Sequence, residues 1–141
     1  MSPKIIRSDE GQILMGGRQN IKLKSADTGG QLAVILSVVP ACSGIPNHVH
    51  QHEDEIFEII DGELEVTLNG EVNLLKKGDM VFMPKNIPHG FKALTDTRMW
   101  VSLVPAGAEN MFIELAALPP GPPDMKAVEK ICEPYGINFK L

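Results

Sequence analysis

Three of the four histidines in this chain lie in one window, His48-Val49-His50-Gln51-His52, and the fourth is His89. Three acidic residues, Glu53-Asp54-Glu55, follow the window directly. In an extended segment, residues two apart point to the same side, so His48 and His50 can aim both imidazoles at one point. Neutral imidazole and carboxylate suit first-row divalent ions such as Zn, Fe, Mn, Ni or Cu. A metal centre is therefore one interpretation of this cluster.

The spacing leaves alternatives open. His52 faces the same side as His50 in an extended segment, so spacing alone does not decide which two of the three histidines bind. A cluster of histidines and acids is also compatible with a solvated surface patch, and a lone histidine is more often structural than a ligand. We expect Glu53 and Asp54 to face solvent rather than to take part in chemistry.

The segments that must position these residues read as short strands separated by turns. The chain has 13 Gly and 11 Pro among 141 residues, and turn signals recur at ~8–12-residue intervals, which favours a sandwich or barrel. Asp61-Gly62 and Asn69-Gly70 are two-residue hairpin signals. Residues 40–46 read as a loop that leads to the histidines, and His89 lies in a proline-stiffened loop. The predicted strands are Asn20–Lys24, Leu32–Val39, Glu55–Ile60, Glu63–Leu68, Met80–Met83 and Arg98–Val104.

Near the C-terminus the spacing of apolar residues changes from the two-residue alternation of strands to a helical spacing. Glu109–Leu118 carries apolar residues at helical spacing, and Asp124 is the predicted N-cap of a second helix that ends near Gly136. The proline run between them reads as a short connector, because the segment after it is too small to fold alone. We therefore expect a single domain over residues 1–141, with a barrel core at about 11–105 and a helical tail at about 106–141.

Composition excludes several classes of protein. The net charge is −5 and the pI is near 5.3, which argues against nucleic acid as a partner. The longest apolar stretch, Leu32–Cys42, is about half of the ~20 residues that a membrane span needs. Charges near the N-terminus occupy the place of a signal peptide's apolar region, so we expect a cytoplasmic protein with Cys42 and Cys132 as reduced thiols without a catalytic role.

The segment Gly44–Gly62 resembles the first motif of the cupin superfamily, G-x5-H-x-H-x3–4-E-x6-G. With His48 and His50 as the pair, four residues precede Glu55 and six more precede the final glycine, as the motif requires. Only three residues then separate Gly44 from His48, whereas the motif has five between its first glycine and its first histidine. The alternative pair, His50 and His52, restores that spacing but puts an apolar residue where the acid should be. A metal needs the carboxylate more than a loop glycine, so we choose the first pair.

The segment Gly78–His89 is similar to the second cupin motif, G-x5-P-x-G-x2-H-x3-N. Asn86 stands in place of the middle glycine and Ala93 in place of the final Asn, and neither change removes a ligand. The resemblance implies an all-β fold, a double-stranded β-helix or jelly-roll cupin barrel with short C-terminal helices. It also implies one metal centre, made by His48, His50, Glu55 and His89.

The resemblance also guides the functional hypotheses. The three-histidine, one-glutamate set is similar to that of quercetinase-type cupin dioxygenases, which implies an enzyme that binds a small oxygen-bearing organic substrate at a divalent transition metal. Glu55 is the candidate catalytic base. The alternatives are a non-catalytic small-molecule-binding cupin that acts as a sensor or store, and a metal-assisted isomerase or epimerase. Single-domain cupins often pair, so we expect a homodimer.

Overall fold

The chain forms eleven short strands and three short α-helices in a computed structural model that describes residues 1–139. Single 3₁₀ turns occur at Met15–Gly17 and Glu133–Tyr135. The helices are α1 (Ser25–Thr28), α2 (Glu109–Ala116) and α3 (Met125–Cys132). The strands are β1 (Gln12–Leu14), β2 (Gln19–Leu23), β3 (Ala33–Val39), β4 (Gly44–His50), β5 (Asp54–Asp61), β6 (Glu63–Leu68), β7 (Glu71–Lys76), β8 (Met80–Met83), β9 (His89–Ala93), β10 (Thr97–Val104) and β11 (Ile137–Phe139).

The strands form two antiparallel sheets. One sheet has six strands in the order β1-β2-β3-β10-β5-β8, and the other has five in the order β11-β4-β9-β6-β7. The chain passes repeatedly from one sheet to the other, which is how jelly-roll folds are built. The predicted all-β architecture with short C-terminal helices is therefore confirmed.

The core lies between the inner faces of the two sheets. Along β3, buried residues alternate with half-buried ones, and β10 repeats this alternation opposite it. The rings of Phe57 and Phe91 come from different sheets and meet edge to face with centroids 5.3 Å apart. The two faces therefore interdigitate, and side chains fill the interior on one side of the histidine cluster.

One predicted hairpin is wrong and one is confirmed. Asn69-Gly70 joins β6 to β7, which are paired neighbours. Asp61-Gly62 instead carries the chain from β5 in one sheet to β6 in the other. Gly62 is needed there because its φ is +96° and a Cβ at this position would lie 2.4 Å from the carbonyl oxygen of Asp96. The dipeptide marks a sharp turn, but the turn is not between paired strands.

Two strands replace predicted loops beside the histidines, and a third appears near the chain's C-terminus. β4 begins at Gly44, inside the segment expected to be a loop, and His89 begins β9 rather than lying in a loop. β11 pairs with β4, with Ile137 opposite His50 and Phe139 opposite His48. The C-terminal segment therefore contributes a strand directly beside the histidine pair.

The predicted C-terminal helices are confirmed as α2 and α3. The Asp124 carboxylate accepts a hydrogen bond from the backbone amide of Lys126 at 3.0 Å and so caps α3, as expected. Among residues 1–139, no helix combines the length and the apolar character that crossing a bilayer requires.

Candidate metal centre

The four predicted ligands come together in the interior of the fold. His48 and His50 lie on β4, and His89 on the neighbouring strand β9 stands directly opposite His48 in the register. Glu55 is the second residue of β5, which belongs to the other sheet. The turn between β4 and β5 thus brings the carboxylate across the interior to the histidines. All four residues are 4% exposed or less.

The ligand atoms of these residues converge on one point. His48 Nε2 lies 3.1 Å from His50 Nε2, and His89 Nε2 lies 3.1 Å from Glu55 Oε1. His50 Nε2 is 3.8 Å from the same Glu55 oxygen, and one ligand atom from each residue lies within 4.8 Å of the other three. Two donors at ~2.1 Å from one ion, subtending 90–110°, would be about 3.0–3.4 Å apart. The two 3.1 Å separations fall in this range, so these pairs of ligand atoms suit a single ion.

The Nδ1 atom of each histidine already has a hydrogen-bond acceptor. His48 Nδ1 donates to the carbonyl of Pro46 at 2.8 Å, and His89 Nδ1 donates to the carbonyl of Ile87 at 2.9 Å. His50 Nδ1 donates to the carboxylate of Glu53 at 2.5 Å. Because the proton of a neutral imidazole is then on Nδ1, each Nε2 presents a lone pair. Three lone pairs and one carboxylate oxygen face the same small volume.

Such an arrangement requires positive charge at its centre. Two Nε2 lone pairs at 3.1 Å repel unless a proton or a cation lies between them, and a neutral imidazole has no second proton to supply. Three imidazoles and one carboxylate are also a donor set that first-row divalent ions favour. The residues present therefore fit a divalent transition metal.

The electrostatics of the ligands support this fit. Burial, together with the neighbouring imidazoles of His89 and His50, lowers the pKa of His48 to about 4, so its ring is neutral at neutral pH. Burial also disfavours a charged His50, but the carboxylates of Glu55 and Glu53 outweigh it and raise the pKa of His50. Burial alone would raise the pKa of Glu55, yet the histidines lower it and keep the group ionised. The same field that favours a proton on His50 favours a metal cation.

Three residues of the same segment, His52, Glu53 and Asp54, lie outside the set of four candidate ligands. His52 is exposed, and its ring lies against Gly136, where an added Cβ would come within 2.5 Å of it. Asp54 is half-buried and accepts a hydrogen bond from the backbone amide of Lys85. The expectation that Glu53 faces solvent is wrong, because Glu53 is only 4% exposed and bonds His50. Sequence reasoning gave no signal for this, since the bend after His50 breaks the alternation of the strand.

The apolar side chains of the strands around the cluster divide between the interior and the surface. Phe57, Ile59, Val66 and Met83 are buried between the sheets. Phe82 is 57% exposed, because it alternates with the buried Met83 on β8 and so faces outward.

Two packed antiparallel sheets with three imidazoles and one carboxylate enclosed between them define a small jelly-roll protein with a candidate metal centre. The chain belongs to the cupin family, because the family model described as the cupin domain matches residues 34–104, half of its length. The matched region contains all four candidate ligands.

Individual relatives agree with this family. Over 107 residues, 74% of the chain, the sequence is 32% identical to a quercetin 2,3-dioxygenase of Bacillus subtilis, but it spans only 32% of that protein's length. Among solved structures, an RmlC-like cupin from Shewanella frigidimarina matches 77% of this chain and 96% of its own, with a TM-score of 0.66 and 18% identity. A predicted oxalate decarboxylase from Thermotoga maritima matches 72% and 98%, with a TM-score of 0.63 and 20% identity. At these identities the two solved structures support the fold alone.

Proposed function

We propose that this chain is a metal-dependent cupin enzyme of the dioxygenase type that acts on a small oxygen-bearing organic substrate. The observation that carries the proposal is the convergence of three Nε2 lone pairs and the Glu55 carboxylate in a buried volume. The 32% identity to a quercetin 2,3-dioxygenase supports the choice of reaction class. Because the chain covers about a third of that relative, the reaction and its substrate are part of the proposal.

In this proposal His48, His50, His89 and Glu55 hold one divalent transition ion, which can be Zn, Fe, Mn, Ni or Cu. Such an ion supplies Lewis acidity toward an enol, carboxylate or phenolate oxygen and, when redox-active, a route for dioxygen chemistry. Four protein ligands leave one or two positions of a five- or six-coordinate ion for substrate or water. The chain's contribution is to hold the ligands buried and oriented before the substrate arrives.

Glu55 has a second role in this proposal as a catalytic base. Its carboxylate is ionised and buried, and only one of its oxygens is needed to meet His89 and His50. A carboxylate beside a bound enol or phenol can accept the hydroxyl proton as the substrate oxygen binds. Loss of this proton leaves a negative charge on the substrate oxygen, which favours binding of that oxygen at a cation.

The surroundings of the cluster support an organic substrate rather than a polyanion. Phe57 lies two residues beyond Glu55 on the same face of β5, and it packs edge to face with Phe91. No lysine or arginine is buried beside the ligands among residues 1–139, where Lys22 is the only buried lysine or arginine and its ammonium group donates to the backbone carbonyls of residues 7, 8 and 10. An apolar wall beside a polar anchor suits a flavonol, diketone or catechol.

The test is oxygen uptake by protein loaded separately with each candidate metal, measured with a panel of flavonols, diketones and catechols. We expect turnover with at least one redox-active ion, and we expect His89→Ala to abolish it. His52→Ala is the matched control, because it removes an exposed histidine outside the cluster and should leave activity unchanged. Substrate-dependent thermal stabilisation without product from any metal would overturn the enzymatic proposal in favour of a binding protein. Conversion of a substrate to its isomer by the zinc-loaded protein, without oxygen uptake, would favour an isomerase or epimerase.

We also propose that the protein is a homodimer that pairs through the outer face of the six-stranded sheet. Met80 and Phe82 on the edge strand β8 are 62% and 57% exposed, and Phe82 lies opposite the outward-facing Ile56. The C-terminal helices pack mainly against each other and against β1 and β11, which leaves this face available for a second copy. Sedimentation should give a dimer that Phe82→Glu converts to a monomer; a monomeric wild-type protein would overturn the proposal.

A further inference from the structure

The three candidate histidine ligands are not held in the same way. His48 and His89 each donate Nδ1–H to a backbone carbonyl two residues upstream, from Pro46 and Ile87 respectively. His50 is the exception, because its Nδ1 faces the carboxylate of Glu53. A carboxylate is a stronger acceptor than a carbonyl, so His50 has a different electronic environment from the other two ligands.

Glu53 is in an unfavourable place for a residue with only a structural role. Its side chain is 5% exposed, and His50 Nδ1 at 2.5 Å is the one hydrogen-bond partner it has among residues 1–139. Burying a carboxylate costs free energy unless its hydrogen bonds compensate, and a neutral side chain of similar volume would cost less. The burial of this charge therefore needs an explanation beyond packing.

The position of Glu53 beside His50 supplies this explanation. An imidazole that ligates through Nε2 must carry its proton on Nδ1, and a fixed acceptor at Nδ1 selects that tautomer and fixes the plane of the ring. Glu53 lies on the far side of the His50 ring from His48 and Glu55, so its hydrogen bond turns Nε2 toward the centre of the cluster. A carboxylate acceptor at Nδ1 also makes Nε2 a stronger donor to a cation than a backbone carbonyl would.

We propose that Glu53 is a positioning residue of the metal centre, which holds His50 in the Nδ1–H tautomer and strengthens its Nε2 as a ligand. This proposal rests on the proposed metal centre. It predicts that the effect of Glu53 passes through His50 and that Glu53 does not contact the metal itself.

The experiment compares Glu53→Ala and Glu53→Gln with the wild-type protein. Glu58→Gln is the matched control, because it removes one carboxylate from the exposed outer face of β5, the strand that follows Glu53. Zinc affinity is measured by competition with a chromogenic chelator. We expect Glu53→Ala to weaken zinc binding about 10–100-fold. Glu53→Gln keeps an acceptor oxygen without the charge and should lie between Glu53→Ala and wild type, while Glu58→Gln should match wild type.

Two further readouts separate positioning from general damage to the fold. The visible absorption spectrum of the cobalt-loaded protein reports the ligand field and should change in Glu53→Ala but not in Glu58→Gln. Long-range ¹H–¹⁵N correlation spectra of the metal-free protein at pH 9 report the tautomer of each histidine. We expect His50 to be in the Nδ1–H form in wild type and to become a mixture in Glu53→Ala, while His48 and His89 are unchanged.

The outcomes distinguish this proposal from the proposed function. If wild type binds zinc and Glu53→Ala binds it within twofold with an unchanged cobalt spectrum, the positioning role is wrong and the metal centre stands. If wild type binds none of the candidate ions, the metal centre fails and the positioning role fails with it. An unchanged His50 tautomer in Glu53→Ala would overturn the positioning role whether or not metal binds.

Discussion

Gly62 offers the sharpest test of how this chain brings Glu55 across to the histidines. It directly follows β5, which carries Glu55, and it turns the chain into the opposite sheet. Its φ is +96°, and an added Cβ would lie 2.4 Å from Asp96 O and 2.6 Å from Thr97 Oγ1. The Thr97 hydroxyl is buried and bonds the carbonyl of Glu63 at 3.1 Å, so the clash would reach a satisfied buried hydrogen bond.

Gly78 provides a control with nearly the same backbone. Its φ is +90°, but an added Cβ would meet nothing within 4 Å. A side chain in this region of φ costs about 1–3 kcal/mol at either position. Forcing an extra methyl group into packed surroundings costs about 1–3 kcal/mol more, and only Gly62→Ala incurs that cost. We therefore expect Gly62→Ala to be less stable than Gly78→Ala by about 1–3 kcal/mol.

Urea denaturation measures this difference directly. With a slope of about 2 kcal/mol per M, the midpoint of Gly62→Ala should fall about 0.5–1.5 M below that of Gly78→Ala. The slopes should be equal, since neither change alters the surface that unfolding exposes. Coincident midpoints would refute the reasoning, because they would mean that the turn between the sheets relaxes without cost.

Three further predictions follow from other parts of the structure. Zinc at 100 times its dissociation constant should stabilise the fold by about 2.7 kcal/mol and raise Tm by roughly 5–11 °C in calorimetry, and an equal rise in His89→Ala would contradict the proposed ligand set. Iodoacetamide should modify the exposed Cys42 but not Cys132 in the folded protein, because burial raises the pKa of the Cys132 thiol to about 11; peptide mass spectrometry measures this, and equal labelling would count against the burial. Asp124→Ala should lower the free energy of unfolding by about 1 kcal/mol in urea because it removes the α3 cap, whereas an unchanged midpoint would show that the cap adds nothing.

The turn dipeptides predicted where the chain bends, but they did not predict which strands each bend connects. Asn69-Gly70 and Asp61-Gly62 have the same local signature, because both need a backbone that glycine adopts easily. Only the first joins paired strands, since the partner of β5 is decided by side chains far away in the sequence. β11 shows the same limit, because three residues are too few for a periodic pattern and the strand depends on the free edge of β4.

The candidate ligands were predictable for a different reason. Each of the four is a residue type that can hold a metal, and motif spacing carries information about which strands bring them together. Glu53 was not predictable, although it lies only three residues from His50. Its orientation depends on the bend between β4 and β5, where the two-residue alternation of an extended chain no longer applies.

The different acceptors of the three histidines follow from where each lies on its strand. A regular ladder uses its carbonyls in pairing, so a histidine can use a nearby carbonyl only where the ladder is interrupted. Pro46 lies at the irregularity in the pairing of β4 with β9, and Ile87 lies in the loop before β9; both carbonyls are therefore available to the histidines two residues downstream. His50 lies at the end of β4, paired with β11, and takes a side-chain acceptor instead. Irregular pairing thus gives His48 and His89 a backbone carbonyl as acceptor, whereas His50 has the Glu53 carboxylate. His50 is therefore the candidate ligand whose strength as a metal donor depends on a single side chain.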